Sequence, residues 1–423
     1  MARTNPSMHL LAGNTTNLIS GEPNPFYLHL SKDAGFRHMW VLGKSGTGKS
    51  TFLKLLIADA IREGFGVWVI DPHGDLIADA AHHIPASRVR DLMLIDPESR
   101  KIPDIGILDY PDKQRALRIV MTLFEAHGSD GWGRQTASIL RNLTRAALEL
   151  HDHANVVHIY KLLADDEYAN RMLPKCKNPL TRKFHASWWG MQKKDRMNAF
   201  SHPLNKIEEL MEPGLVEFFG QKKSLNFRKL MDEQKIVFCR LPKAYLEERA
   251  TQILGSFIMM KLKVEATRRK RRSRPVFIIA DEYHNFIKGI DVDTTFGESR
   301  KFGTHYVVTS QTRSQLGENA DVIAGNVSHI IAFRMAAVDA KEITENFGEN
   351  RAGFSDLVML PNFKFRALTM DDADPMSTER IALLSKPEPY GDEAPARKAM
   401  AWAAENTGTD KKLVVKRIGE QLA

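Results

Sequence analysis

The pattern of apolar positions in the first hundred residues alternates between short continuous runs and stretches of helical periodicity. An apolar run at about 38–43 is followed by a helical pattern that ends near Glu63, where Gly64 provides a typical helix stop. Further apolar runs at Gly66–Asp71 and at about 92–96 continue the alternation. Continuous apolar strands are typical of parallel sheets covered on both faces. The pattern therefore predicts an α/β fold, a mostly parallel sheet with helices on both faces.

Helical periodicity dominates the middle of the chain, from about residue 111 to 230. Apolar side chains recur there at helical spacing, and convincing strand patterns are absent. Apolar strands resume at 235–241 and recur at about 275–280, 304–310 and 328–333. The helical stretch therefore interrupts a sheet that continues after it.

Four segments make up the predicted organisation. A sheet domain is built from residues 36–110 and 231–385, and an all-helical insertion, residues 111–230, lies within it. Residues 1–35 are predicted to form a loop-rich arm with one edge strand. Residues 386–423 are predicted to form a linker, one amphipathic helix and a basic tail. The length of 423 residues is consistent with two or three domains.

Composition is that of an ordinary globular protein, with 43% apolar and 26% charged residues. Cys176 and Cys239 are too few and too far apart to suggest a disulfide framework or a metal site. The sequence has no run of eighteen apolar residues and no signal-peptide pattern, so we expect a soluble, cytoplasmic protein that a partner could recruit to the membrane. The formal charge of +8 weakly favours a polyanionic partner.

A glycine-rich stretch connects the first apolar strand to the helix that follows it. It consists of Gly43, Lys44, Ser45, Gly46, Thr47, Gly48, Lys49, Ser50 and Thr51. The spacing G-x4-G-K-S is typical of a phosphate-binding loop, because its glycines let backbone amides curl around phosphates at a helix N-terminus. Lys49 is predicted to reach the β- and γ-phosphates of ATP, and Ser50 to bind Mg²⁺. The alternative is a glycine-rich surface turn.

Two carboxylates follow the apolar strand near residue 280. Asp281 suits the coordination shell of Mg²⁺, usually through water, because this ion prefers hard oxygen ligands. Glu282 is placed to orient and deprotonate the attacking water. The alternative is that both residues merely begin a solvated loop.

Polar side chains also end two other apolar strands. Asp71 is expected at the same sheet edge, where it either joins the metal shell and its water or caps the helix after Pro72. Gln311 follows the strand at 304–310, and its amide is predicted to sense the γ-phosphate or orient water. A structural turn is the alternative for Gln311.

Two arginines are candidates for stabilising charge in the transition state from a neighbouring subunit. These are Arg300, which precedes the strand at 304–310, and Arg334, which ends the strand at 328–333. Either arginine is otherwise a surface cation beside an acidic neighbour.

Together these motifs resemble the FtsK/HerA superfamily of DNA-pumping ATPases. Within it, the chain is most similar to the HerA-like proteins and to conjugative coupling proteins of the TraG/TraD type. The resemblance extends over about residues 36–350 and rests on the phosphate loop and four further stretches: Asp71–Leu76, Ile279–Phe286, Arg300–Gly303 and Thr309–Gln311.

This resemblance implies a RecA-like core that assembles as a ring, usually a hexamer, with ATP between subunits and DNA threaded through the pore. It also implies that the helical insertion engages substrates or DNA-processing partners such as a relaxase. The leading hypothesis is accordingly a ring-forming, Mg²⁺-dependent ATPase that translocates DNA. The alternatives are a coupling adaptor that docks a nucleoprotein with ATP-gated assembly, and a genome-packaging ATPase of a virus or mobile element.

Two basic stretches are candidate DNA contacts. Arg268–Arg274 carries six cations in seven residues, enough to neutralise several phosphates, but it is equally consistent with a solvated loop. Thr181–Lys194 mixes basic and aromatic residues, as single-strand binders do. An amphipathic helix that buries its tryptophans is the preferred interpretation of that second stretch.

Overall fold

The structure is a computed structural model of the chain, and it describes residues 8–16, 23–30, 38–128, 131–347, 354–369, 378–383 and 393–423. Strands among these residues are β1 (Met8–Thr16), β2 (Pro23–Leu30), β3 (Met39–Leu42), β4 (Gly66–Asp71), β5 (Leu92–Ile95), β6 (Lys101–Ile102), β7 (Ile236–Arg240), β8 (Val276–Ala280), β9 (Thr304–Ser310), β10 (His329–Phe333), β11 (Lys364–Thr369), β12 (Thr378–Leu383) and β13 (Thr409–Asp410).

Helices in the same described ranges are α1 (Lys49–Arg62), α2 (Asp75–Ala81), α3 (Lys113–Ala126), α4 (Arg134–Leu150), α5 (Val156–Ala164), α6 (Asp166–Met172), α7 (Pro179–Trp189), α8 (Lys193–Met211), α9 (Val216–Phe219), α10 (Phe227–Asp232), α11 (Lys243–Ala266), α12 (Val292–Ser299), α13 (Asn319–Asn326), α14 (Ala337–Phe347), α15 (Phe354–Met359), α16 (Glu393–Asn406) and α17 (Lys411–Leu422). Helix α11 is kinked at Glu247, which has a φ of 64°. None of these helices is long and apolar enough to cross a membrane.

The chain divides into two compact units, and the first takes in the described parts of Met1–Leu94, Phe227–Pro242 and Lys261–Ala403. Its centre is a sheet in the order β2-β1-β12-β11-β10-β3-β9-β8-β4-β7-β5. The pairs from β10 through β3, β9, β8 and β4 to β7 are parallel. Every residue of β4 and β8 is buried, which explains why these strands are continuous apolar runs. The predicted α/β fold with a mostly parallel sheet is confirmed.

An antiparallel extension continues the sheet beyond β10. Strand β11 pairs antiparallel with β10, with Ile331 opposite Ala367, and β12 pairs antiparallel with β11. Strand β1 then pairs with β12 and β2. The predicted strand in the N-terminal arm lies within β2, at the edge of the sheet. The sequence patterns did not predict β1, β11 or β12.

The second unit comprises Ile95–Asn226, Lys243–Met260 and Ala404–Ala423. It contains helices α3 to α9 together with α17, and its only sheet in the described ranges is the short pair β6 and β13. Its first segment begins before the start of the predicted insertion, residues 111–230, and ends four residues before the end of that insertion. Two later segments of the chain belong to the same unit.

The C-terminal helix α17 occupies the stretch predicted as a basic tail. Asp410 caps it by accepting a hydrogen bond from the Lys412 amide, 2.9 Å long. Val414 and Ile418, four positions apart, are both buried. Helix α17 is therefore amphipathic, and its charged side chains lie on the outer face.

Candidate active site

The phosphate loop follows β3, and its backbone has the conformation that its glycines allow. Gly43, Gly46 and Gly48 have φ values of 148°, 74° and 119°, in the region where residues with a Cβ are strained. A Cβ on Gly43 would lie 2.5 Å from the Cβ of Phe333. The loop therefore requires glycine for both its backbone angles and its packing.

Lys49 lies at the start of α1 and folds its side chain over the loop. Its Nζ donates to the carbonyl oxygens of Gly43, at 2.5 Å, and Lys44, at 3.0 Å. Burial lowers the pKa of Lys49, while the charges of Asp281 and Glu282 oppose that shift. A phosphate is a stronger acceptor than a carbonyl, so this cation is suited to transfer its hydrogen bonds to a bound triphosphate. Ser50, beside it, is exposed.

Asp281 and Glu282 follow β8 and are joined by one hydroxyl from the neighbouring strand β9. Thr309 Oγ1 donates to Asp281 Oδ1 at 2.6 Å and accepts the Glu282 backbone N–H at 2.9 Å. Burial raises the pKa of Asp281, and the charges of Asp71 and Glu282 raise it further. The Thr309 hydrogen bond and the Lys49 charge lower it. Cations at this site stabilise the ionised carboxylate.

Glu282 is held in an unusual backbone conformation and by both of its carboxylate oxygens. Its φ and ψ are 47° and 55°, the left-handed region that non-glycine residues rarely adopt and that is common at functional sites. Gln311 Nε2 donates to Oε1 at 2.7 Å. His73 Nε2 lies 3.1 Å from Oε2, and Asn285 Nδ2 donates to the Glu282 carbonyl oxygen at 2.9 Å. The carboxylate therefore has a defined orientation.

Asp71 lines the same cavity but uses both oxygens on the backbone. Oδ1 accepts the His73 N–H at 2.8 Å and Oδ2 accepts the Ile77 N–H at 3.1 Å. The bond to Ile77 satisfies an amide in the first turn of α2, as the capping alternative requires, although the N-cap position itself is Gly74. Through them Asp71 anchors the segment that carries His73 to Glu282.

The two candidate arginines lie at opposite ends of their strands. Arg334 ends β10 at the phosphate loop: its carbonyl oxygen accepts the Lys44 N–H at 2.8 Å and its Nη2 donates to Asn362 Oδ1 at 2.7 Å. Arg300 begins the short turn before β9 and is exposed. Seven residues of β9 separate it from Gln311, roughly 20 Å of extended chain. Within one chain, Arg334 is therefore near the site and Arg300 is at the opposite sheet edge.

The cavity at this edge has a volume of about 350 Å³. The phosphate-loop residues that line it are Ser45, Gly46, Gly48, Lys49, Ser50 and Thr51. The predicted residues Asp71, Asp281, Glu282 and Gln311 line it as well, so the structure brings them to one place.

Three contributors to the site were missed in the sequence. His73 and Thr309 belong to motifs that the sequence did reveal, each two positions from Asp71 or Gln311. Both residues could therefore have been identified from the sequence. Phe363 lines the cavity from the turn before β11, a segment without a recognisable motif.

The basic stretch Arg268–Arg274 is largely engaged within the first unit. Arg269 is buried, with Nε 2.9 Å from Asp232 Oδ1, Nη1 2.9 Å from the Gly303 oxygen and Nη2 2.7 Å from the Arg274 oxygen. Arg268 is paired with Glu265 at 2.8 Å. Lys270, Arg271 and Arg272 are exposed. Arg274 Nη2 donates to the Glu63 carbonyl oxygen at 3.1 Å, so three of the six cations in this stretch make contacts within the unit.

The aromatic residues of Thr181–Lys194 pack against one another and against the next helix of the helical unit, with Phe184 6.0 and 6.3 Å from the ring centroids of Trp188 and Trp189. Trp188 and Trp189 have ring centroids 5.6 and 5.7 Å from that of Phe200, and the Arg196 guanidinium lies 5.2 Å from the Trp189 ring. Both tryptophans are half-buried, as an amphipathic helix requires.

These elements define a class of protein. A phosphate loop follows β3, the Asp-Glu pair follows β8, and a glutamine follows β9, which lies between those two strands. This is the arrangement of a P-loop NTPase with a RecA-like core. The chain belongs to the family of the HerA helicase: the sequence model described as "Helicase HerA, central domain" matches residues 14–262. No curated protein sequence matches the chain.

Solved structures share the fold at low sequence identity. The plasmid coupling protein TrwB in complex with the non-hydrolysable ATP analogue ADPNP matches with a TM-score of 0.68 and 15% identity, over 92% of this chain and 98% of that one. TrwB in complex with ADP and Mg²⁺ gives 0.67 and 14%, over 93% and 98%. VirB4 of Thermoanaerobacter pseudethanolicus gives 0.66 and 13%, over 93% and 100%. The likeness at these identities establishes the fold.

Proposed function

We propose that this chain is a Mg²⁺-dependent ATPase that assembles into a ring around DNA and couples ATP hydrolysis to DNA movement.

ATP turnover in such a ring would be shared between neighbouring copies, as in the hexamers of the family that the sequence resembles. The observation that carries the ATPase proposal is Glu282, a carboxylate fixed through both oxygens in the cavity that also contains Lys49 and Asp281. Membership in the HerA helicase family supports DNA as the partner.

The nucleotide is proposed to bind with its phosphates in the loop Gly43–Thr51. Backbone amides of the loop and the N-terminus of α1 favour the negative charge, and Lys49 contacts the β- and γ-phosphates. The complexes of TrwB with ADPNP and with ADP and Mg²⁺ support ATP as the nucleotide. Ser45 and Gly46, at the tip of the loop, line the cavity.

The donors present fit Mg²⁺. Ser50 and Asp281 offer a hydroxyl and a carboxylate oxygen, and Mg²⁺ in nucleotide sites takes one or two protein ligands besides phosphate oxygens and water. Among the described residues, no group of three His, Cys, Asp or Glu side chains could hold a metal by itself. The absence of such a group from the described part of the chain is consistent with a Mg²⁺ ion that takes some of its ligands from the phosphates of the nucleotide. Bound Mg²⁺ neutralises charge on the phosphates as the γ-phosphoryl group is transferred.

Glu282 is proposed to take the proton from the attacking water. Gln311 and His73 hold its two oxygens, so the base keeps one orientation during the reaction. Gln311 is proposed to keep this bond and to contact the γ-phosphate with its second amide N–H, or the attacking water with its amide oxygen. Asp71 acts as a positioning residue, because it anchors the backbone at His73.

Arg300 is the better candidate for a contribution in trans. It lies at the sheet edge opposite the phosphate loop, so a second copy of the chain must supply it to this site. Arg334 is proposed to support the loop in cis, through its carbonyl contact with Lys44 and its hydrogen bond to Asn362. An arginine at the transferred phosphoryl group accelerates related reactions by about a thousandfold or more.

A second candidate function is a coupling adaptor, in which the helical unit docks a nucleoprotein such as a relaxase and ATP gates assembly. The observation in its favour is the fold likeness to the coupling protein TrwB, which extends over 92% of this chain. The helical unit has its own buried core, including Ile139, Leu140 and Leu143 of α4, and so is built to present a stable surface.

The decisive experiment measures ATP hydrolysis by the full chain with and without DNA, and displacement of a protein roadblock from duplex DNA. We expect DNA to stimulate hydrolysis and the roadblock to be displaced. The adaptor function instead predicts ATP turnover without displacement, together with capture of a relaxase.

Variants assign the chemistry in the same assay. Lys49→Ala is expected to lose nucleotide affinity, whereas Glu282→Gln is expected to keep ATP and lose turnover by about 10²- to 10⁴-fold, because the amide keeps the shape and one accepting oxygen but lacks the base. Equal turnover by both variants and the native protein would refute the proposed ATPase site.

A further inference from the structure

Phe363 is a large aromatic side chain that remains 42% exposed while lining the nucleotide cavity. It occupies a turn in which the Lys364 N–H donates to the Pro361 carbonyl oxygen at 3.3 Å. Its φ of 61° lies in the region that favours glycine. An aromatic residue in that conformation is strained, and strain of this kind is concentrated at ligand-binding and active sites.

The phosphate loop holds this ring in place. The Phe363 N–H donates to the Thr47 carbonyl oxygen at 2.8 Å. A Cβ on Gly48 would lie 3.2 Å from the ring's Cδ1 and 3.3 Å from the Phe363 Cα. The ring therefore keeps a defined position beside the end of the loop where α1 begins.

Strand order places the ring and the carboxylates on opposite sides of the loop. Strands β9 and β8, which carry Gln311 and the Asp-Glu pair, lie on one side of β3, while β10 and β11 lie on the other. Strand β11 runs antiparallel to β10, so the turn before it reaches the same edge of the sheet as the phosphate loop. Four strand spacings, about 19 Å, separate β8 from β11.

We infer that Phe363 is the face against which the base of the bound nucleotide stacks. The inference rests on the proposed ATPase function and deepens it, since it assigns the second end of the substrate. With the γ-phosphate directed toward Glu282, the α-phosphate and the nucleoside extend away from the carboxylates, toward the other side of β3. There the exposed ring offers an apolar, aromatic surface to a purine.

This mode of binding sets the nucleotide specificity. A ring that contacts the flat face of a base does not read the hydrogen-bonding groups on its edge, so stacking accepts any base. We therefore expect ATP and GTP to bind with affinities that differ by only a few-fold. Larger purines are expected to bind more tightly than pyrimidines, because they offer more stacking area.

The test compares nucleotides with a probe that has no base. Binding of ATP, GTP, CTP and inorganic tripolyphosphate, each with Mg²⁺, is measured by calorimetry for the native chain and for Phe363→Ala, Phe363→Leu, Phe363→Trp and Phe363→Gly. Leucine retains apolar bulk without an aromatic face, tryptophan retains the face, and glycine removes the ring while relieving the backbone strain.

Phe363→Ala and Phe363→Gly are expected to weaken ATP and GTP binding about tenfold or more and to leave tripolyphosphate binding unchanged. Phe363→Leu should recover little of the loss and Phe363→Trp most of it. Unchanged ATP affinity in Phe363→Ala would overturn the inference. So would an equal loss for tripolyphosphate, which would show that the ring acts by supporting the phosphate loop.

Failure of the proposed function gives a different result. If the native chain bound neither ATP nor tripolyphosphate, or if Lys49→Ala bound both as tightly as the native chain, the ATPase proposal would fail, whatever the Phe363 variants did. Loss of ATP binding in Lys49→Ala together with no effect in Phe363→Ala would overturn only the stacking inference.

Discussion

At the scale of single residues, one hydroxyl connects the positions proposed to bind the metal and to activate water. Thr309 Oγ1 donates to Asp281 and accepts from the Glu282 backbone, so each bond helps to orient the other. The strand β9 that carries Thr309 lies between β3, which leads into the phosphate loop, and β8, which ends just before Asp281. A neutral side chain can therefore fix the geometry of two charged ones.

Thr309→Val tests this connection. Valine keeps the shape but removes both hydrogen bonds of the hydroxyl, to Asp281 Oδ1 and from the Glu282 N–H, at a cost of about 1 to 3 kcal/mol. The Glu282 N–H keeps its 3.1 Å bond to Asp281 Oδ1. We expect kcat to fall about tenfold or more and the Mg²⁺ concentration needed for half-maximal turnover to rise. Thr309→Ser keeps the hydroxyl and should remain close to native in both measurements. Indistinguishable kinetics for the valine and serine variants would contradict the assignment.

His38 contributes a pH dependence to the stability of the sheet unit. Its Nε2 donates to the Phe296 carbonyl oxygen at 2.6 Å and its Nδ1 accepts the Tyr306 N–H at 2.9 Å. Burial lowers the pKa of His38 from 6.5 to about 4. The unfolded chain therefore takes up a proton near pH 6.5 that the folded chain takes up only near pH 4, and stability is lost as the pH falls through that window.

Urea unfolding of the native chain and of His38→Gln at pH 7 and pH 5.5 measures this contribution. Because His38 takes up its proton mainly in the unfolded chain, the unfolding free energy of the native chain should fall by about 1 kcal/mol between pH 7 and pH 5.5. Glutamine at position 38 does not titrate, so the unfolding free energy of the variant should fall less than that of the native chain over the same change of pH. The same pH-dependent loss in both proteins would rule out this role for His38.

The chemistry-bearing residues were predictable to different degrees. The phosphate loop, Asp281, Glu282 and Gln311 end apolar strands in recognisable motifs, and the structure places them around one cavity. Asp71 was placed correctly at the edge, but its role remained open between metal and helix cap because both use the same oxygens. Phe363 carries no motif, and its position depends on a turn between two antiparallel strands that the apolar pattern did not indicate.

At the scale of elements, burial explains which segments the pattern revealed. Strands β3, β4 and β8 are buried on both faces and are almost entirely apolar runs, and β9 is buried throughout with an apolar centre, so their bounds were predicted to within one or two residues. Strand β11, Lys364–Thr369, alternates polar and apolar residues only over its first four positions and has no helix pattern after it. A short alternating run is a weak signal, and its pairing with β10 is decided by contacts distant in sequence.

Helix α17 allows a matched test of an element. Val414 is 2% exposed and Val415 is 50% exposed, although they are neighbours in sequence. Val414→Asp would bury a charge and should destabilise the helical unit by about 3 kcal/mol or more, whereas Val415→Asp should change stability by about 0.5 kcal/mol or less. Thermal unfolding and limited proteolysis of the full chain measure both effects. A basic tail without structure would tolerate the two changes equally.

At the scale of the whole molecule, we propose that a second copy of the chain completes the site. Arg300 lies at the sheet edge opposite the loop, separated from Gln311 by the length of β9. No conformational change within one folded sheet moves a residue from one edge to the other. A ring therefore provides a simple way for one subunit to serve the nucleotide of the next.

Mixing two inactive variants tests the exchange. The Arg300→Ala variant lacks the donated arginine, and the Glu282→Gln variant lacks the base. In a mixed ring, a Glu282→Gln subunit can donate Arg300 to a neighbouring Arg300→Ala subunit that keeps Glu282. That interface then contains both groups. We expect each variant alone to lose most ATPase turnover and the mixture to recover part of it. Arg334→Ala mixed with Glu282→Gln serves as the comparison and should recover less. Absence of recovery in the Arg300 mixture would exclude a contribution across the interface.

The sequence by itself determined the buried parallel strands and the motifs at their ends, because both depend on local patterns: apolar runs where both faces are covered, and glycines and charges at fixed spacing. Tertiary structure alone decided which edge each group reaches. Lys49 and Asp281, 232 positions apart, meet because parallel strands end at one edge, whereas Arg300 is separated from Gln311 by a strand that runs away from it. Strand order and direction arise from contacts between distant segments, and no local window of sequence contains them.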